Sequence, residues 1–159
     1  MVEVFCARTP EQLADVRLML HGLAMHFSML GHEDIEPDAF DAEIEGPDAL
    51  YDEPAGRILL ARIEGVPVGC AMLRPLPDGT CEVRRVFVAP SARRRGVARA
   101  MMVRLMAEAR GVGYGCIRLV TGEEFSSAIA LYEGLGFRHI LCYRSTVWTD
   151  VACMEAGLT

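Results

Sequence analysis

The stretch Glu82-Val83-Arg84-Arg85-Val86-Phe87-Val88-Ala89-Pro90-Ser91-Ala92-Arg93-Arg94-Arg95-Gly96-Val97-Ala98 decides how the remainder of the chain is read. Residues 82–88 have the composition of a strand, and the apolar run from Ala98 to Ala109 reads as a helix. Between them lies an arginine-rich turn containing Gly96. The first amides of a helix have no partner within it, and the helix dipole makes that end positive. A strand, a glycine-containing turn and a helix start therefore form an anion site. Arginine forks beside such amides bind phosphate oxygens in pairs, so the turn predicts a pocket for a phosphorylated cofactor.

The flanking segments predict an α/β order. A short strand from Glu3 to Arg8 leads into Thr9-Pro10-Glu11-Gln12, a capping box with proline at the first helical position. Leu13, Val16, Leu20, Leu23 and Phe27 recur at helical spacing, and Gly31 ends that helix. A shorter helix is expected over 38–45, stopped at Gly46-Pro47. The runs 57–64 and 66–74, split by Glu64-Gly65, read as a hairpin. Further strands are expected over 81–88, 116–120, 137–146 and 149–155, with a helix over 126–135. The crossover helix between the strands at 81–88 and 116–120 implies that those two run parallel. The expectation is one domain over 1–159, with a mixed central sheet of about seven strands and about four helices.

At 159 residues, 52% hydrophobic and 24% charged, the chain has the composition of a folded globule. No apolar run reaches the roughly 20 residues that span a bilayer, and the acidic start Met1-Val2-Glu3 does not resemble a signal peptide. A cytoplasmic protein is expected. The six cysteines, at 6, 70, 81, 116, 142 and 153, form no Cys-x-x-Cys pair, and free buried thiols are expected. His21 and His26 stand five apart rather than four, so no metal site is predicted. All 16 basic side chains are arginine, and no lysine is present. The net charge of −6 argues against a nucleic-acid partner. Ten acidic residues lie between Glu33 and Glu53 with no arginine among them, an acidic lip that favours a cationic partner beside the anion-binding turn.

Two motifs together resemble the GNAT superfamily of N-acetyltransferases. Arg93-Arg94-Arg95-Gly96-Val97-Ala98 resembles its motif A, an Arg-x-x-Gly-x-Ala turn. Ala128 to Phe137 resembles its motif B, a helix closing in Tyr132-x-x-x-Gly136-Phe137. The resemblance implies a fold in which two parallel strands splay apart into a V that holds acetyl-coenzyme A. It implies transfer of the acetyl group to a primary amine of a small molecule or peptide by direct attack in a ternary complex. Arg93, Arg94, Arg95, Gly96, Val97 and Ala98 would hold the diphosphate, and the backbone of Val86, Phe87 and Val88 would align the pantetheine arm like an added strand.

An alkyl ammonium has a pKa near 10, so it must lose a proton before it attacks. Glu82 is the candidate base, with a water relay or a structural pairing with Arg84 or another arginine as the competing readings. Tyr132 is the candidate acid for the departing thiolate. Many members carry an asparagine three residues before the motif B alanine. Here Phe125 stands in its place, which leaves Ser126 or Ser127 to make any such polar contact. The acceptor pocket would lie between residues 21–53 and 144–150, with Tyr51, Phe27 and Trp148 as candidate walls. No cysteine lies inside either motif beside a base, which disfavours a covalent intermediate. Members often pair as homodimers. The competing functional class is a regulatory domain that binds acyl-coenzyme A without turnover.

Overall fold

A computed structural model describes residues 1–31 and 37–159; of residues 37–39 it describes the backbone only. The elements run β1 (Val2–Cys6), α1 (Pro10–Met29), α2 (Pro37–Glu45), α3 (Asp48–Tyr51), β2 (Arg57–Ile63), β3 (Val66–Pro75) and β4 (Cys81–Val88). A 3₁₀ turn at Pro90–Ala92 precedes α4 (Val97–Val112), β5 (Cys116–Gly122), α5 (Ser126–Gly134), β6 (Arg138–Ile140) and β7 (Val151–Gly157). The seven strands form one mixed sheet in the order β1-β2-β3-β4-β5-β7-β6. No described helix is long and apolar enough to cross a membrane.

Local sequence accounts for most element ends. The Thr9 hydroxyl accepts from the Gln12 amide while the Gln12 side chain accepts from the Thr9 amide, closing the capping box. Such a cap stabilises a helix by about 1 kcal/mol. The β2–β3 hairpin turns through Glu64 at φ 51° and Gly65 at φ 80°, both left-handed, matching the twist of the strands they join. Each face of the sheet carries a core. α4 buries Val97, Met101, Met102, Leu105 and Met106 on one face, each worth roughly 1.5–3 kcal/mol on burial. On the other face, α1 lays Val16, Leu20 and Leu23 beside Phe40, Leu60 and Phe87.

Two features of β4 shape the molecule. It pairs in parallel with β5 only at Cys81↔Ile117 and Glu82↔Arg118, after which the two strands part. Against β3 its register passes from Cys70↔Phe87 to Met72↔Arg84, so three steps on β4 oppose two on β3. This is a bulge at Arg85–Val86, and Arg85 takes the left-handed conformation at φ 58°. Bulges bend a strand away from its neighbour, and here the bend follows the point where β4 and β5 separate.

Close packing beneath the bulge depends on Gly69. A Cβ there would lie 2.8 Å from the Phe87 carbonyl oxygen and 3.1 Å and 3.2 Å from methyl groups of Met101 and Val97. The Gly69→Ala protein is expected to lose about 1–3 kcal/mol, read as a Tm several degrees lower. An unchanged Tm would mean that the β3–β4–α4 packing is looser than these distances imply.

Three expectations need correction. The helix expected over 38–45 does stop before Gly46-Pro47, but a further short helix, α3, which was not expected, follows it; Pro47 sits at its N-cap, and the helix buries Tyr51 completely. The strand expected over 137–146 pairs only over 138–140. Beyond Ile140 the chain leaves the sheet, with Leu141 almost wholly exposed, and brings Tyr143 and Arg144 to a buried carboxylate. The cysteines are not all free thiols. Cys142 and Cys153 form a disulfide because the returning β7 sets their Cα atoms 5.2 Å apart, while Cys6, Cys70, Cys81 and Cys116 stay free.

Candidate active site

Where β4 and β5 part, a cleft of about 650 Å³ opens between them. Val83 to Val86 of β4 form one side, and Leu119 to Gly122 of β5 form the other. From Val83 onward, the β4 edge that faces β5 has no strand partner among the described residues.

Arg93, Arg94, Ser126, Ser127 and Tyr132 also line the cleft. The turn before α4 is exposed from Arg93 to Gly96. Arg94 at φ 64° and Gly96 at φ 77° are both left-handed, and no side chain caps the helix. Alternating left-handed residues gather successive amides into a concave anion nest. Arg93 is braced by its Nε donating to the Val88 carbonyl at 3.2 Å. Arg95, Gly96, Val97 and Ala98 do not line the cleft; Val97 is buried in the core. Of the three residues expected to align a cofactor arm, Val86 lines the cleft. Phe87 turns its ring under Gly22, and the Val88 carbonyl is engaged by Arg93.

Tyr132 projects from α5 into the same cleft, with its ring 5.8 Å from that of Phe137. Burial pushes its phenol up to about 12, so it stays protonated at neutral pH. Phe125 precedes α5 without capping it and turns its ring towards Trp148 at 5.9 Å.

Glu82, at the last paired position before the strands part, is completely buried. Arg74 lies 2.7 Å from its carboxylate, Arg144 donates at 2.8 Å, Arg84 stands 3.7 Å away, and the Tyr143 hydroxyl donates to it. Burial pushes its pKa up, but hydrogen bonds from Tyr143 and Arg144 and the charges of Arg74 and Arg144 outweigh this. Its pKa is therefore held below the ordinary carboxylate value. The structural pairing with Arg84 considered from sequence is thus present, within a larger cage.

A second buried carboxylate, Glu43 of α2, pairs with Arg84 at 3.4 Å and with Arg85, whose guanidinium lies 4.1 Å from the centre of the Phe40 ring. Of this network, Arg84, Arg85 and Arg144 line the cleft. Sequence reading missed the roles of Arg85, Arg144, Tyr143 and Glu43. Its one signal was Arg84-Arg85, two successive charges in an otherwise apolar strand, which alternation cannot place on one face without a bulge.

Of the three candidate walls, Phe27 and Trp148 meet edge to face at 5.6 Å and line the cleft, whereas Tyr51 lies in the core. His26 also lines it. Burial, and then the charge of Arg93, hold its imidazole below the usual value, so it is neutral at pH 7. Of the acidic lip, Glu33, Asp34 and Glu36 lie outside the described residues, as does the side chain of Asp38. Glu43 is buried against arginine, and Glu53 pairs with Arg8 at 2.6 Å. Among the described lining residues, five are arginines and Glu124 alone is acidic.

The splayed mixed sheet thus brings the uncapped start of α4 and the buried phenol of α5 to one cleft. The model of the acetyltransferase (GNAT) family matches residues 27–137, and the chain belongs to that family. It is an acetyl-coenzyme A-dependent acetyltransferase. It is 26% identical over 139 residues to an uncharacterized N-acetyltransferase of Schizosaccharomyces pombe, covering 86% of this chain and 83% of that one. Other matches are partial: one to an uncharacterized N-acetyltransferase of Escherichia coli, 33% identical, covers 57% of this chain and 56% of that one, and one to N-acetyltransferase 8 of Homo sapiens, 34% identical, covers 60% of this chain and 44% of that one. A GNAT-family acetyltransferase from Staphylococcus aureus Mu50 has the same fold, with TM-score 0.81 at 18% identity and full coverage of both chains. So does the acetyltransferase YncA from Salmonella typhimurium, solved with its cofactor acetyl-coenzyme A, with TM-score 0.73 at 20% identity over 99% of this chain and 94% of that one.

Proposed function

We propose that this protein transfers the acetyl group of acetyl-coenzyme A to a primary amine by direct attack in a ternary complex. The observation that carries this reading is that one cleft joins the anion nest to Tyr132 across the gap between β4 and β5. The acetyl-coenzyme A bound to YncA supports the choice of donor. The amides of residues 93–98, with Arg93 and Arg94, hold the diphosphate. Arg95 adds positive charge from solvent, and Gly96 and Ala98 keep the turn uncrowded. The pantetheine arm lies along the unpaired edge of β4 at Val86 to Val88, with Ser127 as a polar neighbour.

In the reaction the amine nitrogen bonds to the thioester carbonyl carbon and the carbon–sulfur bond breaks. The starting ammonium loses two protons, one to cleft water before attack and one that ends on the coenzyme A thiol. Tyr132 supplies the proton to the thiolate and is reprotonated from the product nitrogen. A free thiol has a pKa near 8.5. Protonation of the thiolate by a phenol held near 12 therefore runs uphill, a penalty that proximity offsets. A caged, low-pKa carboxylate is a weak base. The cage therefore favours the water relay for the first proton, with Glu82 positioning Tyr143 and Arg144 and the neutral His26 available as a proton acceptor.

Calorimetry with acetyl-coenzyme A and a thiol-release assay on an amine panel test this reading. Binding without thiol release across the panel would overturn transfer to a primary amine. The Arg94→Glu protein is expected to raise the KM for acetyl-coenzyme A about tenfold or more, because a carboxylate replaces a guanidinium at the diphosphate. Arg95→Glu should raise it less, since Arg95 stands outside the cleft. Equal KM values for Arg94→Glu and the parent would displace the diphosphate from this turn.

A further inference from the structure

A second hollow adjoins the main cleft. Glu124, Val147, Trp148, Thr149 and Asp150 line a recess of about 360 Å³, and two of these, Glu124 and Trp148, also line the cleft of about 650 Å³. Glu124 is exposed, whereas Trp148 is half-buried and held from several sides. The Thr146 hydroxyl donates to the Trp148 carbonyl at 2.6 Å. The Glu123 amide donates to the Asp150 carbonyl at 3.0 Å, just before Val151 pairs with Gly122 at the start of β7. The indole lies over Gly122, where a Cβ would come within 2.7 Å of it and within 3.1 Å of the Phe125 ring. Phe27 meets the indole edge to face at 5.6 Å, and Phe125 tilts against it at 5.9 Å. Aromatic rings favour such offset and edge-on contacts. A ring packed on three sides gives way only by leaving its rotamer or shifting its neighbours.

We propose that Trp148 limits the length of the acceptor. The chain of the amine runs along the wall of Phe27 and Phe125 and stops at the indole, which closes the 360 Å³ recess to it. This rests on the acetyl-transfer reading above and adds a specificity-determining residue to it. Under that reading the coenzyme takes the turn at 93–98, the β4 edge and the surroundings of Tyr132. The aromatic wall is then left to the acceptor, whose class is a compact primary amine. Forcing extra methylenes against a packed ring is destabilising. Removing the ring joins the two hollows, and each methylene that then finds a buried place is worth about fourfold.

The test uses the full chain and the straight-chain amines from ethylamine to decylamine. Turnover is read as coenzyme A release, and binding to the coenzyme A-loaded protein is read by calorimetry. Each amine is scaled to ethylamine in the same protein, so a general loss of activity does not move the profile. The parent is expected to show a cut-off, with kcat/KM and affinity falling about tenfold or more beyond one chain length. Trp148→Ala is expected to move that cut-off to longer chains, with gains of up to about fourfold for each methylene admitted. Trp148→Phe should move it less, because a smaller ring still stands there. Gly122→Ala keeps the indole but displaces it, and should shift the cut-off by an independent route. Identical length profiles in the parent and Trp148→Ala, in turnover and in binding, would overturn the proposal, as would a parent without a cut-off. Length-limited binding that Trp148→Ala relaxes, with no coenzyme A release from any amine, would sink acetyl transfer and keep the role of Trp148. Release with an unmoved cut-off would do the reverse.

Discussion

Tyr132→Phe is expected to lower kcat about a hundredfold while leaving the KM for acetyl-coenzyme A within a few-fold of the parent. General-acid groups typically contribute 10²–10⁴-fold, and the proposed donor to the leaving thiolate is this phenol. The substitution removes one oxygen and keeps the ring that packs 5.8 Å from Phe137, so the fold and the cleft persist. A phenol raised to about 12 by burial is protonated throughout the ordinary assay range. The loss should therefore be the same at pH 6 and pH 9. Undiminished turnover would remove Tyr132 from the reaction. A loss confined to KM would make it part of the binding surface instead.

The Glu82→Ala protein is expected to lose about 3–5 kcal/mol of stability, because removing one member of a buried ionic group strands its partners. Arg74, Arg84 and Arg144 would each lose their contact with this carboxylate, and the Tyr143 hydroxyl would lose its acceptor. The pH dependence gives a second reading. Glu82 is held below its ordinary value of 4.5 in the folded chain. Its contribution is therefore full above that value and disappears as pH falls through the folded pKa. Urea unfolding between pH 7 and pH 3 should show the parent losing stability towards acid more steeply than the variant. A deficit under about 1 kcal/mol at pH 7 would mean the cage is not a stabilising unit.

How much of this was legible in the chain follows from the range of the forces involved. The turn at 93–98 was readable because strand, glycine and helix start act over a few residues. The same holds for the capping box at Thr9–Gln12 and the hairpin at Glu64-Gly65. The parallel pairing of β4 with β5 followed from the crossover helix. The cage around Glu82 was not readable, because its members come from positions 74, 82, 84, 143 and 144, and no local pattern ties them together. Apolar composition at 137–146 suits an edge strand and a surface segment equally, so tertiary contacts at Tyr143 and Arg144 decided between them. The fold buries Glu43 against arginine and uses Glu53 at Arg8, and counting charges along a chain cannot anticipate either arrangement.

The Cys142–Cys153 link fastens the segment bearing Tyr143, Arg144 and Trp148 to β7. Where dithiothreitol in a purification buffer reduces that bond, the tether is gone, so rate constants gathered under reducing and non-reducing handling would describe two chemical species.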